Sequence, residues 1–405
     1  RRRHPTSSSS PKKEEEQKEE EASLAPRPAL LTCVSVAERE ATTRQNSEKA
    51  KADTKRRIRR AVVERYARIS RPHLKVPEVT TVRRVWAMSD LHVDFEANRQ
   101  HVLSLVAHPQ DALIVAGDVA PTLPLFEEVM AALVAKFKLV FFCPGNHCLW
   151  VRKGDHQTSL DKFFELLYAC DKLGVVTYPA NVGNDVIVCP LFSWYDTSFV
   201  DGDAVDKLKF FDANCLWPAF LDDDDDNDDD QEGLDDDQEG LDDATKARRR
   251  RRRGPVVDGV ECAASSLVPG IAAFFRELNE PAIDALEERR PRGSVVLSFT
   301  HFVPRPDLYE GIGGVHFLGH IMGDKRIADA VKHLASSVHV FGHSHLNVDA
   351  FLDDDGVRYV QNALGHDENL NVVEGKANNG NANLPLPILI WDADYVKPIK
   401  GDDLT

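Results

Sequence analysis

The 405-residue chain is 42% hydrophobic and 29% charged, with a formal net charge of -16, which is enough for one large domain or two ordinary ones. That acidic balance argues against a general nucleic-acid binder, which needs a basic footprint, and no apolar run approaches the ~18 residues of a transmembrane helix. Residues 221–253 hold 15 acidic and 7 basic side chains, half of the net charge, so the charge describes that segment more than the rest.

In chain order, residues 1–50 read as disordered. The arginine triplet 1–3, the serine run 7–10 and the mixed-charge run 12–21 offer little to bury. The Arg/Ser-rich start suits an organelle-targeting segment, but the acidic run after it opposes one. Residues 51–81 form a basic helical lead-in. Within it Ile58, Val62, Val63 and Tyr66 fall on one stripe, the pattern of an amphipathic helix packed on a domain or, less simply, of an arm for a protein partner. From residue 82 to about 400 the pattern becomes α/β. Strands are expected at 83–89, 112–116, 138–143, 186–191, 294–299, 338–341, 357–361 and 387–391, with helical stretches near 97–107, 124–136, 159–172, 271–289 and 325–335.

Residues 221–253 interrupt this domain with a tandem DDDQEGL repeat followed by six arginines. Such a stretch reads as a solvated insertion, with cation, polyanion or partner binding as the functional alternatives. The seven cysteines (33, 143, 148, 170, 189, 215 and 262) contain no CxxC pair and read as reduced, buried thiols, which points to the cytoplasm.

Five strand ends carry potential metal ligands: Ser89-Asp90-Leu91-His92, Ala116-Gly117-Asp118, Pro144-Gly145-Asn146-His147, Thr300-His301 and Gly342-His343-Ser344-His345. In extended chain, residues i and i+2 project to one side, so Asp90 with His92, and His343 with His345, can each turn two ligands into one cavity. Gly117, Gly145 and Gly342 each precede a candidate ligand, where a tight turn or close backbone approach suits glycine. Mixed carboxylate, imidazole and amide donors suit Mn, Fe or Zn. Seven ligands exceed one tetrahedral ion but fit two ions sharing a carboxylate. Such a pair, about 3.5–4 Å apart, clamps the attacking and leaving oxygens of a displacement at phosphorus.

The series DxH…GD…GNH…H…GHxH resembles the calcineurin-like metallophosphoesterase superfamily over residues 83–395. That resemblance implies a β-sandwich flanked by helices with a dinuclear site at the strand ends. It implies hydrolysis of a phosphomonoester or phosphodiester by metal-bridging hydroxide. It places Asp90, His92 and His345 on the first ion, Asn146, His301 and His343 on the second, and Asp118 between them. His147 matches the family histidine that contacts phosphate and protonates the leaving group. Two departures stand out. Cys148 occupies the position where the family has Glu or Asp, a carboxylate that helps orient the neighbouring histidine. Gly117-Asp118-Val119-Ala120-Pro121 lacks the Asp-Arg-Gly tail of the Ser/Thr phosphoprotein phosphatase branch.

Other residues have two readings each. Asp94 and Asn98 suit either hydrogen bonds to the ligands or a helix cap. Arg305 suits a phosphate clamp or a surface ion pair. Trp194 and Tyr195 suit a substrate wall or the core. His316, His320 and His366 read as structural. A non-catalytic scaffold on the same fold is the competing class; it predicts missing ligands or a missing His147.

Overall fold

In the computed structural model the described residues are 50, 53–67, 81–152, 158–200, 211–221, 256–257, 260–263, 267, 269–309, 318–365 and 384–394. The expectations for residues 1–49 and for nearly all of 221–253 lie outside them, as do His316, His366 and Cys33. Every strand and helix named here belongs to the unit that runs from residue 51 onward.

The strands at the start of the domain are continuous apolar runs because both faces are covered. β1 (Arg84–Met88), β2 (His108–Ala116) and β3 (Phe137–Cys143) pair in parallel, and the last six residues of β2 are all buried. β12 (Ile388–Asp392) closes the free edge of β1 antiparallel, giving a four-stranded sheet of order β12-β1-β2-β3. The second sheet is built from β4 (Ala180–Asn181), β5 (Val186–Pro190), β8 (Val295–Phe299), β9 (Ser336–Val340), β10 (Val348–Leu352) and β11 (Val357–Gln361), in the order β10-β11-β9-β8-β5-β4. The interior four, β11-β9-β8-β5, are parallel. A two-residue pair, β6 (Val256–Val257) with β7 (Val260–Glu261), stands apart. The expected strands are present, and β2 begins four residues earlier than the apolar run. β10 was missed. Its alternating half-buried pattern and the Asp353-Asp-Asp-Gly356 turn before β11 are a hairpin signal.

Helices cover the sheets: α1 (53–67), α2 (Glu96–Ser104), α3 (Leu123–Val134), α4 (Ser159–Leu173), α5 (Pro269–Arg289), α6 (Gly319–Met322) and α7 (Arg326–His333). The ends of α4 follow from sequence. Thr158 and Asp161 form a reciprocal capping box, and Gly174 ends the helix at φ 76°, a left-handed position that glycine adopts without strain. In α1, Val62, Val63 and Tyr66 pack on the core, with Tyr66 against Phe164 and Phe192, while Ile58 faces outward. The fold is mixed α/β, two sheets flanked by helices.

A seam joins the two sheets at the end of β1. The Ser89 N–H donates to the Asn362 carbonyl (2.9 Å) and the Leu364 N–H to the Ser89 carbonyl (3.1 Å), tying the end of β1 to the chain leaving β11. All five motif segments leave carboxyl ends of strands along this seam, which is where open α/β sheets bind ligands.

Phe142 is fully buried with its ring 5.0 Å from that of Phe126 on α3. Phe142→Ala should lower unfolding free energy by about 3–5 kcal/mol, seen as a lower urea midpoint at unchanged slope. A loss under about 1 kcal/mol would contradict this packing.

Candidate metal centre

All eight candidate residues converge. Asp90, His92, Asp118, Asn146 and His301 are buried, while His147, His343 and His345 are half-buried and form the open side. Local backbone aims them: Asp90 (φ 51°), His92 (φ 41°), Asp118 (φ 47°), His343 (φ 72°) and His345 (φ 57°) are all left-handed. Side chains there cost roughly 1 kcal/mol or more each, so each strand end is turned against its own preference. The glycines explain how the turns fit. Gly117 has φ 86°, and a Cβ on it would meet His301 Cβ at 2.8 Å. A Cβ on Gly145 would meet Asp118 Cγ at 2.7 Å. At both positions the ligand occupies the space of the missing side chain.

Two triads can each hold an ion: Asp90, His92 and His345, and Asp90, Asp118 and His301, with ligand atoms in each within 4.8 Å of one another. Asp90 Oδ1 lies 3.4 Å from His345 Nε2 and accepts the His343 backbone N–H at 2.9 Å. Asp118 Oδ2 lies 3.3 Å from His301 Nε2 and 4.0 Å from His92 Nε2, so it faces a member of each triad. Its other oxygen accepts the His147 backbone N–H at 2.9 Å.

The donor chemistry fits a cation. Asp90 Oδ2 is fully buried and meets no hydrogen-bond donor among the described residues, a costly state for a carboxylate oxygen unless a positive charge faces it. His343 presents Nε2 to the Ile321 carbonyl at 2.9 Å and Nδ1 to Asn146 Oδ1 at 3.1 Å. The carbonyl takes the ring hydrogen of the neutral imidazole, so a nitrogen lone pair points at an oxygen lone pair. A cation held by His343 and Asn146 would relieve that repulsion, with the carbonyl as the outer partner typical of metal-bound histidine. Asn146 is held in this orientation because its Nδ2 donates to Asp212 Oδ1 at 2.8 Å.

Charge follows from burial. Burial would raise the Asp90 carboxyl, but His345 and His301 outweigh it and hold it at about 2; Asp118 is likewise held low, by His301 and His147 against its own burial. Burial pushes His92 and His343 down to about 3. His301 goes the other way. Burial opposes its charge, yet Asp118 and Asp90 hold it up at about 9, and both its nitrogens face acceptors: Nδ1 the Ala116 carbonyl (3.1 Å), Nε2 Asn146 Oδ1 (3.0 Å).

Asp212, Trp150 and Tyr195 complete the surroundings. The His147 ring stacks on Trp150 (centroids 3.7 Å apart, 28° between planes) and meets His92 edge-on at 4.8 Å. Asp212 accepts from Trp150 Nε1 (2.7 Å) and Tyr195 Oη (3.1 Å) as well as from Asn146. Neither Asp212 nor Trp150 was anticipated from sequence. Cys148 is buried, accepts the Val119 N–H on Sγ at 3.4 Å, and its thiol is pushed up to about 12 by burial, so it is an inert packing group. Asn98 Nδ2 bonds the Leu91 and Gly365 carbonyls (2.9 and 2.7 Å) and so braces the first motif loop, while Asp94 is exposed. Arg305 pairs with Asp307, Asp354 and Asp355, the surface ion-pair reading. Trp194 and Tyr195 are buried in the core, and His320 is also buried.

The sequence profile for calcineurin-like phosphoesterases matches residues 83–347. Over 134 residues the chain is 36% identical to the [acyl-carrier-protein] phosphodiesterase PptH of Mycobacterium tuberculosis, a stretch covering 31% of this chain and 41% of that protein. Among solved structures, the crystal structure of phosphopantetheinyl hydrolase PptH from the same organism is similar at a TM-score of 0.48. It has 22% identity and covers 73% of this chain and 94% of that one.

An ion bound to His301 Nε2 must displace the proton that Asp118 and Asp90 hold there up to about pH 9. Raising pH removes the competing proton, so apparent metal affinity should rise about tenfold per pH unit from 7 to about 9 for this one proton and then level. Calorimetric titrations in buffers of different ionisation enthalpy read both the affinity and the protons released. An affinity that is flat across that range contradicts the assignment.

Proposed function

Because the chain belongs to the calcineurin-like phosphoesterase family, we propose that it is a metal-dependent hydrolase whose substrate is a phosphodiester. Asp90, His92 and His345 hold one ion, Asn146, His301 and His343 the other, and Asp118 lies between them. The observation that carries this reading is the buried Asp90 oxygen without a donor, set among imidazole and amide ligands that face one another's lone pairs. The diester preference rests on the phosphodiesterase that matches 134 residues of the chain. The ions fit Mn, Fe or Zn by ligand type.

The chemistry that a bound ion pair supplies is polarisation of the phosphoryl oxygens and a lowered pKa for the attacking water. The protein does the rest. Substrate approaches from the side lined by His147, His343 and His345, the half-buried residues of the centre. His147 has its backbone fixed by Asp118 and its ring fixed by Trp150 and His92, so its free nitrogen can give a proton to the departing oxygen. This motion-free placement is worth about 10²- to 10⁴-fold for a general acid. Asp90, Asp118, His92 and His301 are all buried, so the interior side of the site is shielded from water, which strengthens every charge interaction there. A scaffold without catalysis predicts lost ligands or a lost His147, and all eight residues are retained in this chain.

The test is a substrate screen with Mn²⁺ over aryl phosphomonoesters, aryl phosphodiesters, nucleotides and phosphopantetheine-type diesters, alongside metal analysis. Two ions per chain and a diester preference are expected; less than one ion per chain after reconstitution contradicts the centre. Asp118→Asn should deplete both ions together and lower kcat by more than the roughly 10- to 100-fold typical of an outer-sphere partner. His147→Gln should leave metal content intact while lowering kcat about 10²-fold or more; unchanged turnover removes His147 from the reaction.

A further inference from the structure

Position 148 gives His147 no charged neighbour, since its thiol is spent on packing and on the Val119 N–H. A carboxylate reaches the site from elsewhere. Asp212 lies on the turn at 211–214, is 5% exposed, and has φ 53°, one of the left-handed non-glycine residues. This turn is docked along the third motif segment. The Val151 N–H donates to the Asn214 carbonyl (2.8 Å), the Ser159 N–H to the Leu216 carbonyl (2.9 Å), and Cys215 Sγ faces the Asn146 carbonyl at 3.7 Å. Asp212 Oδ1 takes two hydrogen bonds at once, from the ligand Asn146 and from Trp150, the platform on which His147 stacks. Oδ2 takes the hydroxyl of Tyr195, whose ring faces that of His343 at 6.4 Å with 28° between the planes.

One carboxylate therefore fixes both halves of the third segment. The Asn146 amide can rotate by a half-turn at little cost, and only the bond to Asp212 points its oxygen, not its nitrogen, at the centre. The indole plane of Trp150 sets the plane of the His147 ring, and the indole is pinned through Nε1. We propose that Asp212 is the positioning residue that couples metal binding by Asn146 to the orientation of His147. The proposal rests on the reading of His147 as proton donor to the leaving group. A loss of positioning then acts most on substrates whose leaving oxygen needs that proton.

The test compares a series of aryl phosphodiesters of increasing leaving-group pKa on the full-length, Mn-loaded protein, with His147→Gln as reference. Asp212→Gly removes the carboxylate while accepting the left-handed backbone, and Asp212→Asn keeps an oxygen acceptor and tolerates the same φ. Trp150→Phe keeps the stacking ring but not its N–H, and serves if Asp212→Gly does not fold. Asp212→Gly should lower kcat/KM about 10- to 100-fold for poor leaving groups and far less for the best one, steepening the dependence as His147→Gln does. It should also weaken Mn binding in chelator competition. The Trp150 indole ¹H–¹⁵N resonance of the metal-free protein, assigned by its loss in Trp150→Phe, should shift in Asp212→Gly. Asp212→Asn should recover most of both. A line parallel to the unmodified protein for Asp212→Gly and Trp150→Phe, with a steepened line for His147→Gln, overturns the positioning role alone. A parallel line for His147→Gln overturns the proton-donor reading and this proposal with it.

Discussion

Asp90 and Asp118 sit side by side out of contact with water, and the ion pairs they make among the described residues are all with imidazoles rather than with lysine or arginine. Taking one carboxylate out of water costs several kcal/mol even after relaxation, and each of these raises the cost of the other. The fold tolerates the pair because positive charge is expected between them. In its absence His301 takes up a proton to supply part of that charge. The left-handed turns, the glycines without room for a side chain, and the backbone seam between the sheets all serve to keep these two groups where solvent would otherwise draw them out.

Strain and function coincide along that seam. Of the nine non-glycine residues with positive φ among the described residues, five are candidate ligands and a sixth is Asp212. The double sheet absorbs this because the five strained ligands follow the ends of paired parallel strands. The buried strands hold the strain, and the strand ends display it. Ring tautomers are assigned in the same way, by backbone carbonyls of Ala116 and Ile321 that belong to neither the strands of His301 nor those of His343.

Much of this was legible from the sequence. Buried parallel strands read as unbroken apolar runs, and the polar residues just beyond them were visible as a series, so the eight convergent side chains could be named from order and spacing. Strand limits were less legible: β2 starts in the polar stretch His108–Asp111, where His108 already pairs with Phe137 ahead of a register shift and no apolar signal marks it. Asp212 was not legible, because nothing local marks it. It stands next to Asn146 only through tertiary docking, 66 positions along the chain, close to a low-complexity stretch crowded with other aspartates. Trp150 sat within reach of the third motif, yet its role depends on that same aspartate. Cys148 reads from sequence as a buried thiol in place of the family's carboxylate, and its burial and N–H partner agree with that.

The pairing of β1 with β12 has a consequence for how the chain comes off the ribosome. Their flanks, Arg83 and Asp394, are 311 positions apart and joined at 2.9 Å. β1, β2 and β3 can assemble early, since they are close in sequence, but the outer edge of β1 stays open until the last strand is synthesised. An unpaired, apolar edge exposed for that long is a template for wrong pairing between chains. Synthesis at about 5–20 residues per second leaves it uncovered for tens of seconds. Holding that edge apart from other nascent chains is thus a demand that the topology places on the cell, and it falls on the strand whose end carries Asp90.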